Sequence, residues 1–273
     1  MRVAEWIQIV FFSILVFAAW GRPLPSRRRL RVTTFATLAI AATLAARFML
    51  YFALPRFSSV IRDWMPAALL LIAYWQIGEF VAEPNQGVQA RLAAFDRSFF
   101  RAVHIQPAKT PIGPVPALYL ELAYLMVYPL VPLGVAALYI AGMRQSVDYY
   151  WVVVLLATYT CFAATPFVPA LPPRLLSSYD MFEIPPNSLR ALNRWILRRA
   201  SIQAITFPSA HVASSAAAGL VLLRFNSRVG LIFLWVALSI AVATVVGGYH
   251  YAADVLFALL VAVFVFVGTF WFW

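Results

Sequence analysis

Thr206-Phe-Pro-Ser-Ala-His-Val-Ala-Ser-Ser215 and Gly247-Gly-Tyr-His-Tyr-Ala-Ala-Asp254 are the stretches on which the reading of this chain turns. Each opens a long apolar run, and together they hold two of the three histidines. His250 and Asp254 are four apart, so on a helix they share one face. A carboxylate in that position orients one imidazole nitrogen and leaves the other basic. His211 follows Pro208 by three residues. Proline favours the first turn of a helix, where free N–H groups and the positive dipole end lie. Two histidines, an orienting acid and a helix start make an anion-handling site at a membrane surface.

The composition supplies the membrane. Of 273 residues, 63% are hydrophobic and 11% charged, with a mean hydropathy of +0.83; a soluble domain carries about 25% charged residues. The expected fold is all-α, a polytopic transmembrane bundle of about eight spans. Residues 3–20, 33–54, 64–82, 115–142, 148–168, 207–223, 229–247 and 250–272 are those spans. The first is too long, and too poor in a cleavage site, for a signal peptide. Residues 1–60 read as extra N-terminal spans and 61–273 as the core that carries the site.

The formal net charge is +11, and all the basic residues but Lys109 are arginine. Arginine suits lipid phosphates, with which it makes bidentate contacts. The charges fall in short loops, such as Arg22-Pro-Leu-Pro-Ser-Arg-Arg-Arg-Leu-Arg31, which argues against nucleic acid as a partner. Residues 88–101 look amphipathic and are expected to lie in the interface. A second amphipathic helix is expected near 188–203, with Arg190, Arg194 and Arg198 on one side and Leu189, Leu192 and Ile196 on another. Cys161 reads as a small core residue. Glu79 and Asp63 stand at membrane edges with no visible partner.

If all spans cross, Arg174, His211, His250 and Asp254 reach one rim. The 22–31 arginines share that rim, and the positive-inside rule then puts the site in the cytosol. If the weak third span, with Pro66, Gln76 and Glu79, does not cross, the basic turn and the site lie on opposite sides.

At these residues the chain resembles the type 2 phosphatidic acid phosphatase superfamily. The family pattern is a Lys with Arg-Pro seven residues on, then Pro-Ser-Gly-His, then Ser-Arg, five residues, His, three residues, Asp. The second motif stands here as Pro208-Ser-Ala-His211, and the third as His250 and Asp254. The first is represented by Arg174 alone, preceded by Pro172-Pro173. Phe167 occupies the lysine position, and Ala243-Thr244 stand for Ser-Arg. With two cations missing, the chain looks more like the branch containing inositol phosphorylceramide and sphingomyelin synthases.

The resemblance implies a six-helix lipid-phosphatase-like core and a multi-pass protein of a bacterial inner membrane. It implies that His250 attacks phosphorus, that Asp254 holds its tautomer, and that His211 protonates the leaving lipid oxygen and then activates the acceptor. Arg174 clamps phosphate oxygens and Ser209 adds a donor. Arg190, Arg194 and Arg198 are candidates to replace the missing cations, or else arginines snorkelling to headgroups. Tyr249 and Tyr251 flank His250, as substrate contacts or as an aromatic belt. His104 is a further candidate on the same side.

The expected substrate is a phospholipid or other lipid phosphate, the acceptor a lipid, a polyol or water, and no cofactor or metal is expected. Headgroup transfer is the first reading; lipid phosphate hydrolysis is the alternative, and a non-enzymatic transporter or scaffold the second alternative.

Overall fold

The computed structural model describes residues 1–49, 51, 55–81, 83–177, 179, 181–202, 204 and 207–272. Thr206, with which the first quoted stretch opens, lies outside the described residues. In order, the helices are α1 (Val3–Gly21), α2 (Ser26–Phe48), α3 (Pro55–Gly78), α4 (Gln86–Ala102), α5 (Pro114–Leu125), α6 (Val127–Ile140), α7 (Val147–Ala164), α8 (Ser188–Ala200), α9 (Ala210–Phe225), α10 (Ser227–Val246) and α11 (Ala252–Phe270). The described residues form no named strand. The fold is an all-α polytopic bundle.

Among the described residues, five helical segments are long and apolar enough to cross a membrane: α1, α2, the stretch Arg144–Phe167 around α7, α10 and α11. The expected single span 115–142 is instead a bent pair, α5 and α6, turning by 62°. Pro129 explains the break. It cannot donate to the carbonyl of Leu125, the last residue of α5, and its ring collides with that carbonyl in a continuous helix.

α3 is the span in question, because Arg56, Arg62 and Asp63 lie in its first half. It runs the length of α2: Ser58 Oγ donates to the Ala46 carbonyl (2.6 Å) near one end, and Gln76 Nε2 to the Val32 carbonyl (3.0 Å) near the other. α3 therefore traverses the bundle. Asp63 is not partnerless: it accepts from Arg2 Nη1 (2.5 Å), Arg144 Nε (2.7 Å) and the Tyr139 hydroxyl. Beside it Arg62 pairs with Glu5 (2.5 Å), which ties α1 to α3. Glu79 likewise pairs with Arg31 at 3.2 Å. Charges inside a membrane bundle persist when paired in this way.

α9 is the central helix, packed against α6, α7, α10 and α11. Its stretch from Val212 to Gly219 is buried and made of small residues, which lets backbones approach. Gly230 of α10 lies so close to the Leu223 backbone that a Cβ there would collide with it.

The chain direction places the site. α1 and α7 start at one end, where Asp148 accepts the N–H groups of Val3 and Ala4 (both 3.1 Å). At the other end α1 finishes with Arg22 over the Phe167 ring, 5.0 Å from its centroid. α7 delivers the 165–175 loop to that end, α9 and α11 begin there, and α4 lies across it against α11. The 22–31 arginines stand at this same end.

α8 splits the arginine stripe expected on one side of it. It buries Arg190, Asn193 and Leu197 and exposes Leu192 and Trp195. A buried carboxylate on α5, Glu121, draws Arg190 and Asn193 inward, while Arg194 and Arg198 of the same arginine stripe stay exposed.

Candidate active site

The geometry begins where α10 ends. The Thr244 carbonyl accepts the N–H groups of Tyr249 (2.8 Å) and His250 (3.0 Å), which closes a tight turn. Gly248 sits in the left-handed region at φ +70°, and a Cβ there would strike Met181. Its carbonyl accepts the Arg174 N–H at 3.0 Å, so the turn and the Arg174 loop are joined by backbone.

His250 is not on a helix, as its spacing to Asp254 suggests, but in this turn. Tyr251 is the N-cap of α11 and Asp254 its third residue, which reaches back as in a capping box. Asp254 Oδ2 accepts the Tyr251 N–H at 3.0 Å and lies 3.1 Å from His250 Nδ1. The carboxylate is fully buried, and Oδ1 has no partner among the described residues. With Nδ1 on Asp254, Nε2 of His250 is left for chemistry. The Asp254 carbonyl accepts the Ser209 N–H (3.1 Å), which docks the start of α9 onto the same turn. The His211 and His250 rings end with centroids 6.2 Å apart, inclined at 65°. Tyr128 meets His211 edge-on at 6.4 Å.

Arg174 lies in the 3-10 turn Pro173–Leu175, with Cζ 5.4 Å from the Tyr249 ring centroid. No carboxylate among the described residues pairs with it. Burial pulls its guanidinium below the usual arginine range, opposed by Tyr124, Tyr249 and Tyr128 nearby and aided by Arg194. Tyr249 is itself held firmly. Its hydroxyl donates to Glu121 Oε2 (2.7 Å), and its ring stacks on Tyr124 at 3.9 Å. Glu121 also accepts from Arg190 Nη1 (2.6 Å) and Asn193 Nδ2 (2.8 Å).

The structure therefore brings His211, His250, Asp254 and Arg174 together from three separate segments. Arg194 is within electrostatic range of Arg174. Arg190, expected as a phosphate ligand, is instead 7% exposed and bound to Glu121. Ser209 is buried as the N-cap of α9, its Oγ accepting the Val212 N–H at 3.4 Å. Arg198 is exposed, with no ion pair among the described residues. Of the positions that depart from the family pattern, Phe167 faces outward at 68% exposed and Thr244 is buried under the His250 turn. Neither place supplies a cation. His104 lies apart from the two imidazoles, in a cavity of about 660 Å³ lined by Asp96, Arg97, Arg101, Lys109 and Tyr179 among others.

Sequence reasoning passed over Glu121 and Asp96. A lone carboxylate in an apolar run was the available signal for Glu121, since such a group needs a partner. Asp96 of α4 accepts the N–H groups of Ala252 (3.0 Å) and Ala253 (3.4 Å) at the start of α11, and the Tyr179 hydroxyl. Burial pushes its carboxyl up to about 6, against the pull of these donors. Among the described residues no group of three or more His, Cys, Asp or Glu is placed to hold a metal ion.

A helical membrane bundle that gathers two imidazoles, a buried aspartate and a guanidinium with no ion pair among the described residues at one end defines a polytopic membrane protein with a histidine-centred candidate site. Residues 90–268, from within α4 to near the end of α11 and so including every residue of that site, match the family model of the PAP2 superfamily. The chain belongs to this superfamily, the type 2 phosphatidic acid phosphatases, and is an integral-membrane enzyme of the lipid phosphatase type. Comparison with curated proteins and with solved structures finds no match.

Proposed function

We propose that the protein transfers a phosphate-bearing headgroup from one lipid to another hydroxyl through a phosphohistidine on His250. The observation that carries this reading is the pairing of His250 Nδ1 with the buried Asp254 (3.1 Å) while His211 faces His250 at 6.2 Å between centroids. That gap fits one phosphoryl group between a nucleophile and a general acid.

In the first half, His250 Nε2 bonds to phosphorus, the bond to the leaving lipid oxygen breaks, and protonated His211 gives that oxygen its proton. In the second half, the acceptor hydroxyl loses its proton to His211 as its oxygen bonds phosphorus and the N–P bond breaks. His211 ends protonated, as it began. Asp254 stabilises the charge that grows on His250, and Arg174 the charge on the phosphoryl oxygens. Arg174 is chosen because the other inward arginine, Arg190, is already neutralised by Glu121.

A single partly buried, unpaired guanidinium among the described site residues, with Arg194 exposed beside it, favours transfer of an inositol phosphorylceramide synthase type over hydrolysis of a monoester, and a bacterial inner membrane is the proposed setting. Family membership equally supports the second reading, in which water is the acceptor and the activity is a lipid phosphate phosphatase. Purified protein is given phosphatidic acid, an isoprenyl diphosphate, and phosphatidylinositol with a lipid alcohol. Formation of a new phosphodiester lipid is expected. Brisk release of free phosphate from the monoesters without transfer makes the protein a phosphatase. His250→Ala and His211→Ala abolish turnover in either case, and full activity in both variants refutes the site.

A further inference from the structure

We infer that the hydroxyls of Tyr124 and Tyr128 bind the substrate phosphate beside Arg174, and that this neutral pair with one cation selects a phosphodiester over a phosphomonoester. The inference rests on the phosphoryl-transfer reading above and adds the charge class of the substrate. Four tyrosines surround Arg174. Tyr249 lies under its guanidinium, Tyr124 stacks on Tyr249 at 3.9 Å, and Tyr74 and Tyr128 lie within electrostatic range.

The hydroxyls of these four differ in use. That of Tyr249 is committed to Glu121 (2.7 Å), and that of Tyr74 accepts the Ile202 N–H (2.6 Å). Those of Tyr124 and Tyr128 have no hydrogen-bond partner among the described residues, and neither is sealed from open space. Tyr124 is only 2% exposed, yet its hydroxyl is not among the fully buried atoms left without a partner, so a ligand oxygen can reach it. Tyr128 is 42% exposed, and its ring stands 6.4 Å from that of His211. The two residues flank the break between α5 and α6 and lie within electrostatic range of each other.

The charge count gives the selectivity. Arg190 is cancelled by Glu121, Phe167 faces outward, Thr244 carries no charge, and Arg194, within electrostatic range of Arg174, is exposed, where solvent and salt screen it. One partly buried guanidinium matches the single negative charge of a diester, whereas a monoester carries about −1.5 to −2 near neutral pH. Phenol hydroxyls donate to phosphoryl oxygens without adding charge, so they serve a diester fully and leave a monoester under-compensated.

The test separates this inference from the reading beneath it. Binding of dioctanoyl phosphatidylinositol and dioctanoyl phosphatidic acid to detergent-solubilised His250→Ala protein is measured by calorimetry. It is repeated with Tyr124→Phe and Tyr128→Phe added singly and together. The diester is expected to bind at least about tenfold more tightly. Each Phe change is expected to weaken diester binding roughly fivefold to tenfold, the range of one net hydrogen bond. Equal or tighter monoester binding, or Phe variants that bind like their parent, overturns the inference even if His250→Ala is inactive. Retained turnover in His250→Ala sinks the phosphohistidine reading instead. Should Tyr124→Phe fail to fold, the more exposed Tyr128 carries the test alone.

Discussion

Replacing Asp254 by Asn probes the charge behind His250 with little change of shape. Asp254 Oδ2 accepts two hydrogen bonds, from Tyr251 N–H at 3.0 Å and from His250 Nδ1 at 3.1 Å, while Oδ1 has no partner among the described residues. The Asn oxygen must take the Oδ2 place, because an NH2 group there would face the Tyr251 N–H. The cap and the tautomer are kept, and the NH2 falls in the buried Oδ1 place, at a cost of about 1–3 kcal/mol of stability. What is lost is charge. A unit-charge pair at 3.1 Å is worth about 5 kcal/mol at an effective dielectric near 20. Only the part that grows as the imidazole becomes cationic accelerates the reaction. Half of it gives roughly a hundredfold and most of it about 10⁴-fold, at about 1.4 kcal/mol per decade. Single-turnover transfer from a radiolabelled lipid, quenched for phosphohistidine, is the assay. The expected result is a 10²–10⁴-fold slower approach to phosphohistidine with the protein still folded. Adding Asp254→Asn to His250→Ala should cost nothing more, since the two act as one unit. A rate within tenfold of wild type, beside an inactive His250→Ala, refutes the reasoning that Asp254 acts through His250.

Glu121→Gln leaves Arg190 charged and buried beside a neutral amide, so a loss of about 3–5 kcal/mol in stability is expected from denaturation in detergent. Asp96, raised from 3.8 to about 6 by burial, binds a proton in the folded state that the unfolded chain has already lost. Stability therefore falls as pH rises from about 4 to about 6, by roughly 3 kcal/mol, and Asp96→Asn should flatten that segment of a melting-temperature profile against pH. In a Cys161→Ala background, Ser26→Cys and Ser188→Cys should resist a membrane-impermeant thiol reagent applied from outside, and Ser227→Cys should react. Ser26 and Ser188 share the arginine-rich end, which the positive-inside rule places in the cytosol. Opposite labelling of Ser26 and Ser188 would break the traverse of α3.

The membrane made much of this fold readable from the chain itself. Lipid leaves backbone N–H and C=O groups no partner outside a helix, so apolar runs such as 229–247 and 250–272 become α10 and α11 with little freedom. The motif around His211 was legible for the same local reason, since Ser209 caps the helix that His211 enters. The contact of His250 with Asp254 was legible, but its perch in a turn ahead of α11 was not, because helical spacing and a capping box both put residues four apart in contact.

Which of the inward arginines Arg174 and Arg190 stays unpaired was decided by tertiary structure alone. Arg190 and Arg174 look alike in sequence, yet Glu121, 69 residues before Arg190, neutralises one of them and supports the tyrosine beneath the other. The same distant carboxylate buried Arg190 and Asn193 of α8 while Arg194 and Arg198 stayed exposed. Hydropathy and helix propensity act between near neighbours and can be read along a chain. The pairing of buried charges depends on groups that only folding brings within a few ångströms, and that pairing sets the electrostatics of this site.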